Sequence, residues 1–470
     1  MTPLQLQWLI LISSSILLLA VTPWAKTKEA FFSGQREQRR PNAWVLTSSL
    51  VISWLFAKSI TNAANLGLAF GMVGGVAYAA YYLSFVIAGL IIYQLRVKGG
   101  FRSIHHFLES RFGKGAIVVF SLLIAFRLFN EVWSNTMVIG SYFGAQGTFG
   151  YTTSIIAFTG LTLAYSLKGG MSSSLLTDVI QMVFFGLLLT VVLGFILQSS
   201  RVDISSLVFS GTWSMQQGGN LLFVAVLQSL SYPFHDPVLT DRGFISDSKT
   251  TLKSFLWAAP IGGVCIILFS FVGIYGQTEG VTGQAPVEVA KLLGVGMMLI
   301  MNFIMVTSAA STLDSTFSSF AKLTVVDLGK KDEASPNRGR WAMVIVTLLG
   351  SIPIFLGAEI LSATTISGTM VIGLAPVFLL WKYPAPALSF HLAVGLGIFL
   401  GIVLVNGWWP AGWNFTNGRY ADLLAVNTWG LIGCFLLYGL GISTAGFWNG
   451  SVKSYSSRSE VGGAKENKNL

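Results

Sequence analysis

Apolar stretches of about 20 residues, the length that crosses a bilayer core at about 1.5 Å per helical residue, recur along this chain. They predict 13 spans, starting near residues 5, 43, 74, 115, 150, 173, 220, 252, 286, 339, 360, 386 and 425. The ninth stretch, 286 to 328, is too long for one crossing, so its spanning part is placed near 296 to 322, with its start on the outer surface. The first lacks the basic leader of a signal peptide and is followed by positive charge, which reads as a retained helix. After residue 447 the chain turns polar and ends SSRSEVGGAKENKNL, a tail expected to be disordered. The fold class predicted is an all-α polytopic membrane protein with no soluble catalytic or signalling domain.

Composition agrees with this pattern. Of 470 residues 53% are hydrophobic and only 10% charged, where a soluble globule carries about 25%. Cys265 and Cys434 lie far apart in apolar runs, so no disulfide scaffold or zinc cluster is expected. The net charge of +10 invites a nucleic-acid reading, but the positions of the charges give it another cause. With the N-terminus outside, 24 of the 29 Lys and Arg fall in internal segments, three (Arg201, Lys291, Arg419) outside and two (Lys58, Arg127) within spans. That asymmetry is the positive-inside rule, so nucleic acid is not an expected partner. The C-terminus is then cytoplasmic.

Charges inside spans are costly, roughly 2.5 to 3.5 kcal/mol each at the centre of a helix on insertion scales, and so mark candidate functional sites. They are Lys58, Arg127, Glu131, Asp178 and Asp314. For each, the plain alternative is a structural ion pair within the bundle. The second span carries Lys58, Ser59, Thr61, Asn62 and Asn65 near its centre and is expected to unwind there. The seventh carries Pro233 and Pro237 around His235 and Asp236, and proline breaks a helix by removing a donor and clashing with the preceding turn. Both broken spans open a group of five. An odd count turns the second group over, which is the inverted repeat of many secondary transporters, with a binding site at the broken helices. The organisation expected is a first helix and cytoplasmic loop at 1–42, one repeat at 43–198, its inverted copy at 220–382, two peripheral helices at 386–447 and the tail at 448–470.

Four motifs, in order and on the expected segments, resemble the sodium/solute symporter family, which includes proline, pantothenate, sialic acid and glucose carriers. They are EAFFSGQ at 29 to 35, KGGMSSSLLTDVIQ at 168 to 181, DPVLTDRGFISDSK at 236 to 249 and SAASTLDSTF at 308 to 317. The resemblance implies a leucine-transporter-like core with a sodium ion between the second and ninth spans. By motif match its ligands are the carbonyls of Ile52, Leu55 and Ser308 and the hydroxyls of Ser311 and Thr312, oxygen donors suited to a hard cation. The alternative is that Ser311 and Thr312 serve helix packing or bond their own i−4 carbonyls.

Asp178 matches the aspartate that completes a second sodium site in some members, and Asp314 and Ser315 share the face of Ser311. Two carboxylates together call for a cation or a proton between them; the alternative pairs Asp178 with Lys168. Tyr232, Ser229, Trp54 and Ser59 match substrate-facing positions. Lys58 departs from the family pattern and has two readings, holding a substrate carboxylate or pairing with Glu131. The five buried charges sum to −1; two sodium ions and one carboxylate bring the total to zero. The function expected is sodium-coupled symport of a small organic solute, carboxylate or amino-acid-like, in the plasma (inner) membrane by a monomer or weak homo-oligomer, with sodium as coupling ion and no other cofactor. The alternatives are proton coupling on the same fold and a sensor or accessory membrane protein. A membrane enzyme is not expected, since no HExxH, GxSxG or nucleophile cluster occurs.

Overall fold

The structure, a computed structural model, describes residues 1–35, 40–198, 203–329, 331–356 and 367–459, and every regular element among them is helical. Helix α1 (Pro3–Val21) starts at a capping box between Thr2 and Gln5, which satisfies donors that a helix N-terminus leaves open. Helix α2 (Lys28–Ser33) buries Phe31 and Phe32 from the FF of the first motif. The second predicted span is two helices, α3 (Ala43–Trp54) and α4 (Ala57–Phe70), bent by 59° at residues 55–56. The polar run from Lys58 to Asn65, expected to unwind, is helical, because its groups find partners without leaving the helix: Thr61 Oγ1 donates to Ala57 O at 2.9 Å and Asn62 Nδ2 to Tyr78 OH at 3.4 Å.

Helices α5 (Met72–Ala79) and α6 (Leu83–Val97) follow, and then α7 (Ile104–Ser141), interrupted at Gly113, whose φ of 77° only glycine adopts at low cost. Helices α8 (Phe149–Gly169) and α9 (Met171–Leu197) turn at Gly170, and a short α10 (Ile204–Val208) comes next. The seventh predicted span is broken as its prolines require: α11 (Asn220–Gln228), a 3-10 turn at Tyr232–His235, then α12 (Pro237–Arg242). Helix α13 (Ser248–Thr278) is capped by Asp247, whose carboxyl is held below the usual range by the Thr250 hydroxyl and backbone N–H. Helix α14 (Ala285–Leu292) is separated from α15 (Val295–Lys322) by a break at Leu293–Gly294, and α16 (Pro336–Ser351) precedes helices at Leu374–Leu379, Ala387–Val405 and Ala421–Ser459.

Among the described residues eight helices are long and apolar enough to cross a membrane, nine with the bent α3–α4 pair. The remaining expected spans fall on α8, on the broken α11–α12, on α16 and on the segment from 360. Part of that last segment and the end of the tail, 357–366 and 460–470, lie outside the described residues.

Helices pack in two groups. In one, α13 lies against α4, α5 and α6; in the other, α15 lies against α7, α8, α9 and α16. Helix α3 touches members of both, since it contacts α13, α9 and α15. Lipid offers little hydrophobic drive between helices, so close approach through small residues matters more. Where α4 meets α13, a Cβ added to Gly273 would lie 1.7 Å from Ala64 O, and one added to Gly67 would lie 2.2 Å from Ser270 O. The two backbones therefore touch with no side chain between them.

Candidate functional site

The bend at residues 55–56 opens the backbone where α3 meets both groups. The ladder of α3 ends with Leu55 N–H on Val51 O at 2.9 Å, and the next bond is Ile60 N–H on Phe56 O at 2.9 Å. The N–H of Lys58, which a continuous helix would send to Trp54, donates instead to Asn135 Oδ1 at 3.3 Å, and Trp54 O accepts from Tyr82 OH at 2.8 Å. The carbonyls of Ile52 and Leu55 thus fall in the gap of the ladder, the position where a helix end leaves acceptors open. Helix α15, which packs on α3, carries Ser308, Ser311 and Thr312, all buried. Thr312 Oγ1 donates to Ser308 O at 3.0 Å, the i−4 bond that the packing alternative describes, while the Thr312 hydroxyl oxygen itself keeps lone pairs with which to accept.

Asp178 of α9 draws the elements together. Its Oδ1 accepts from Ser311 at 2.5 Å and its Oδ2 from Ser49 of α3. It does not meet Lys168, whose ammonium donates to Leu19 O at 2.8 Å. Beside it lies the guanidinium of Arg242, with Nη2 at 3.0 Å from Asp178 Oδ2, 2.9 Å from Ser315 Oγ and 3.3 Å from Ser174 Oγ. Asp314, one turn from Ser311, has a different surround: Thr177 at 2.8 Å, Tyr165 at 3.0 Å and Ser315 at 3.3 Å all offer hydroxyls. No cationic side chain pairs with Asp314 among the described residues.

The substrate-facing candidates meet in a second cluster. Lys58 Nζ lies 2.8 Å from Glu131 Oε1, and Arg127 Nη1 reaches the same oxygen at 3.1 Å. Arg127 Nη2 lies 2.7 Å from Asp236 Oδ2, which also accepts from Trp54 Nε1 at 2.7 Å. Asn135 donates to the other oxygen of Glu131 at 2.9 Å, and Tyr232 OH accepts from Arg127. Phe56, at the bend, turns its ring to both cations, at 5.3 Å from the Lys58 ammonium and 5.9 Å from the Arg127 guanidinium. The four charged groups are no more than 4% exposed, so they face one another and not water. Ser59 accepts from Tyr78 OH at 3.2 Å at the edge of this cluster. Ser229 stands away from it at the end of α11, where its hydroxyl donates to Val226 O at 2.7 Å.

Above the cluster a cavity of about 1020 Å³ opens toward the C-terminal end of α4, the end that the charge asymmetry predicts to be external. Thr61 and Asn62, one turn beyond Lys58, line its depth, and Gln284, Lys291 and Arg419 line its mouth.

The charge count made from the sequence needs correction. Arg242, taken there as an internal loop residue, is fully buried in α12, and Asp236, taken as part of a proline-broken stretch, is a buried partner of Arg127. With these two and the buried Asp241, which pairs with Lys322, included, the interior holds Lys58, Arg127, Arg242 and Lys322 against Glu131, Asp178, Asp236, Asp241 and Asp314. The sum is still −1, but eight of the nine are paired within the protein, and the cation beside Asp178 is a guanidinium. A signal for both was present. Asp236 and Arg242 follow the seventh span's apolar run closely, with the apolar Pro237, Val238 and Leu239 between them.

The model of the sodium:solute symporter family matches residues 31–208. No curated protein matches the chain. Among solved structures, a Na+-coupled sialic acid symporter in a substrate-bound, outward-open state superposes with a TM-score of 0.70 at 14% identity, covering 93% of this chain and 98% of its own. A nucleobase-cation-symport-1 family transporter in a closed conformation with bromovinylhydantoin bound gives 0.57 at 12% identity, over 88% of this chain and 94% of its own. The protein MhsT in complex with L-phenylalanine gives 0.55 at 14%, over 84% and 97%. At such identities the likeness to these structures is one of fold. With residues 31–208 matching the sodium:solute symporter family and the fold shared across 93% of the chain, both comparisons agree with the resemblance drawn from the motifs: the chain is a multi-pass helical membrane protein with a leucine-transporter-like fold.

Proposed function

We propose that this secondary active transporter carries a small organic solute, carboxylate or amino-acid-like, into the cell together with sodium, by alternating access across the plasma (inner) membrane with its N-terminus outside and its C-terminus cytoplasmic. The observation that carries the reading is the open ladder at 55–56. Helix α3 ends in the open acceptor carbonyls of Ile52 and Leu55 and packs on α15, which carries Ser308, Ser311 and Thr312; a hard cation of modest charge density is served by such neutral oxygens. A cation there ties α3 to α15 and so favours one relative position of the two helix groups; solute entering from the cavity favours the next. Asp178, Asp314 and Ser315 lie beside the first site as the candidate second cation or proton site, while Trp54, Lys58, Ser59, Glu131, Ser229 and Tyr232 are the candidate solute contacts.

The test is thermal stability of the purified protein in NaCl against KCl and choline chloride. Sodium at ten times its dissociation constant stabilises by about 1.4 kcal/mol, and Thr312→Ala should shrink that gain. Equal stability in the three salts removes sodium coupling. Proton coupling is the second reading, favoured by Asp314, a buried carboxylate whose partners are all hydroxyls. It predicts uptake driven by a pH gradient at fixed membrane potential and lost in Asp314→Asn.

A further inference from the structure

The interior charges divide into four sets. One, Asp241 with Lys322, lies at the ends of α12 and α15 and is neutral. Lys58, Arg127, Glu131 and Asp236 form a closed quartet of zero net charge, with successive contacts of 2.8, 3.1 and 2.7 Å. Arg242 and Asp178 form a neutral pair at 3.0 Å. Asp314 alone is uncompensated among the described residues. Since Arg242 already compensates Asp178, a single coupling cation, whether at the carbonyl site or beside Asp314, brings the whole to zero. A solute of net negative charge would then remain uncompensated inside a region shielded from water, which is costly. An uncharged solute would leave four desolvated charges with nothing to recognise.

We propose that the solute is a zwitterion, a small molecule carrying one cationic nitrogen and one carboxylate, and that it is recognised by exchange at the Lys58–Glu131 pair. This rests on the transport reading above. Lys58 is the member of the quartet nearest the cavity, one helical turn from Thr61 and Asn62. A solute carboxylate arriving from that side takes the Lys58 ammonium, and the solute's cationic nitrogen takes the place that Lys58 leaves on Glu131. Glu131 is suited to the exchange because its Oε1 is shared with Arg127 and its Oε2 is held by Asn135 at 2.9 Å, so it stays in position as Lys58 turns away. The number of ion pairs rises by one and the net charge does not change. Neither a plain acid nor a plain amine achieves both.

The experiment uses the full chain, and binding is read as ligand-induced thermal stabilisation in NaCl, KCl and choline chloride. The probes are L-amino acids and glycine betaine, with matched N-acetyl amino acids as anions, amino acid methyl esters as cations and a sugar series as uncharged solutes. The wild type should be stabilised by at least one zwitterion at concentrations at least tenfold below those needed of its N-acetyl or ester derivative. Lys58→Met leaves the quartet at −1 and should turn the preference to the ester; Glu131→Gln leaves it at +1 and should turn it to the N-acetyl acid. The double variant Lys58→Met/Glu131→Gln keeps Arg127 paired with Asp236 and should lose zwitterion binding while keeping its response to salt, so the proposal stays testable where a single variant fails to fold. Preference for an acid or a sugar by the wild type, no stabilisation by any probe, or unchanged charge preference in the variants would overturn it. Stabilisation by a zwitterion without any difference among the salts would support this proposal and count against sodium coupling, so the two are separable.

Discussion

Replacing Arg242 by methionine tests the electrostatic core of the site most directly. The side chain is fully buried, and its guanidinium lies within hydrogen-bonding distance of Asp178, Ser315, Ser174 and Ser49, with Nη1 at 3.3 Å from Val238 O. Methionine preserves most of the volume and removes the charge, leaving Asp178 with two hydroxyl donors, Ser49 and Ser311, and no cation. Breaking a buried pair by removing one partner costs about 3 to 5 kcal/mol. With about 2.1 cal/mol/K of unfolding entropy per residue and 470 residues, that is a fall in Tm of roughly 3 to 5 °C. Arg242→Met/Asp178→Asn removes both charges and should recover most of the loss, because the penalty comes from the unpaired carboxylate and not from the missing contact. Sodium should stabilise the single variant more than the wild type, since Asp178 then lacks its cation. Melting can be followed by reaction of a thiol dye with Cys434, which is buried in the folded protein. A loss in Arg242→Met below about 1 kcal/mol, or a double variant no more stable than the single one, would refute the reasoning.

Other outcomes follow from the same contacts. Gly273→Ala should destabilise by about 1 to 3 kcal/mol, the usual cost of overpacking, because its new Cβ would meet Ala64 O at 1.7 Å; denaturant or thermal melts decide it. Asn135→Leu should lower solute affinity without altering the salt response, since it frees Glu131 Oε2 and the Lys58 N–H together; ligand titration in fixed NaCl reads this out. Asp314→Asn should leave sodium-specific stabilisation in place under the sodium reading and abolish uptake driven by a pH gradient under the proton reading, as reconstituted uptake would show.

Much of the fold could be read from the residues because lipid imposes a single rule, about 20 apolar residues per crossing, and because prolines and buried polar runs mark where that rule is broken. The break of the seventh span was visible in Pro233 and Pro237. The break of the second was visible as polarity but was placed too late: Thr61, Asn62 and Lys58 looked like reasons to unwind, whereas each has a partner on a neighbouring turn or helix. The helix parts at Leu55 and Phe56, two apolar residues that carry no such mark. The site was only half legible for a related reason. A charge at the end of a span reads equally well as cytoplasmic or as buried, and only the contact between Arg242 and Asp178, 64 residues apart in the chain, separates the two. The quartet is contained in part in the Lys58–Glu131 alternative, but its fourth member, Asp236, lies among prolines that break the helix, where a carboxylate serves equally well as a helix cap, as it also does here toward Val238 N–H.

The glycine contact between α4 and α13 bears on how the molecule moves. Helices that meet through side chains can slip past one another by changing rotamers, whereas Gly273 and Gly67 set backbone against backbone, which leaves nothing to repack. Helices α4 and α13 are therefore bolted together and must travel as one piece. Under the proposed transport cycle, bending between α3 and α4 would fall at residues 55–56, at the near end of α4, where the ladder is already open. A cation at the proposed carbonyl site would then act on that joint directly, stiffening it on arrival and freeing it on departure.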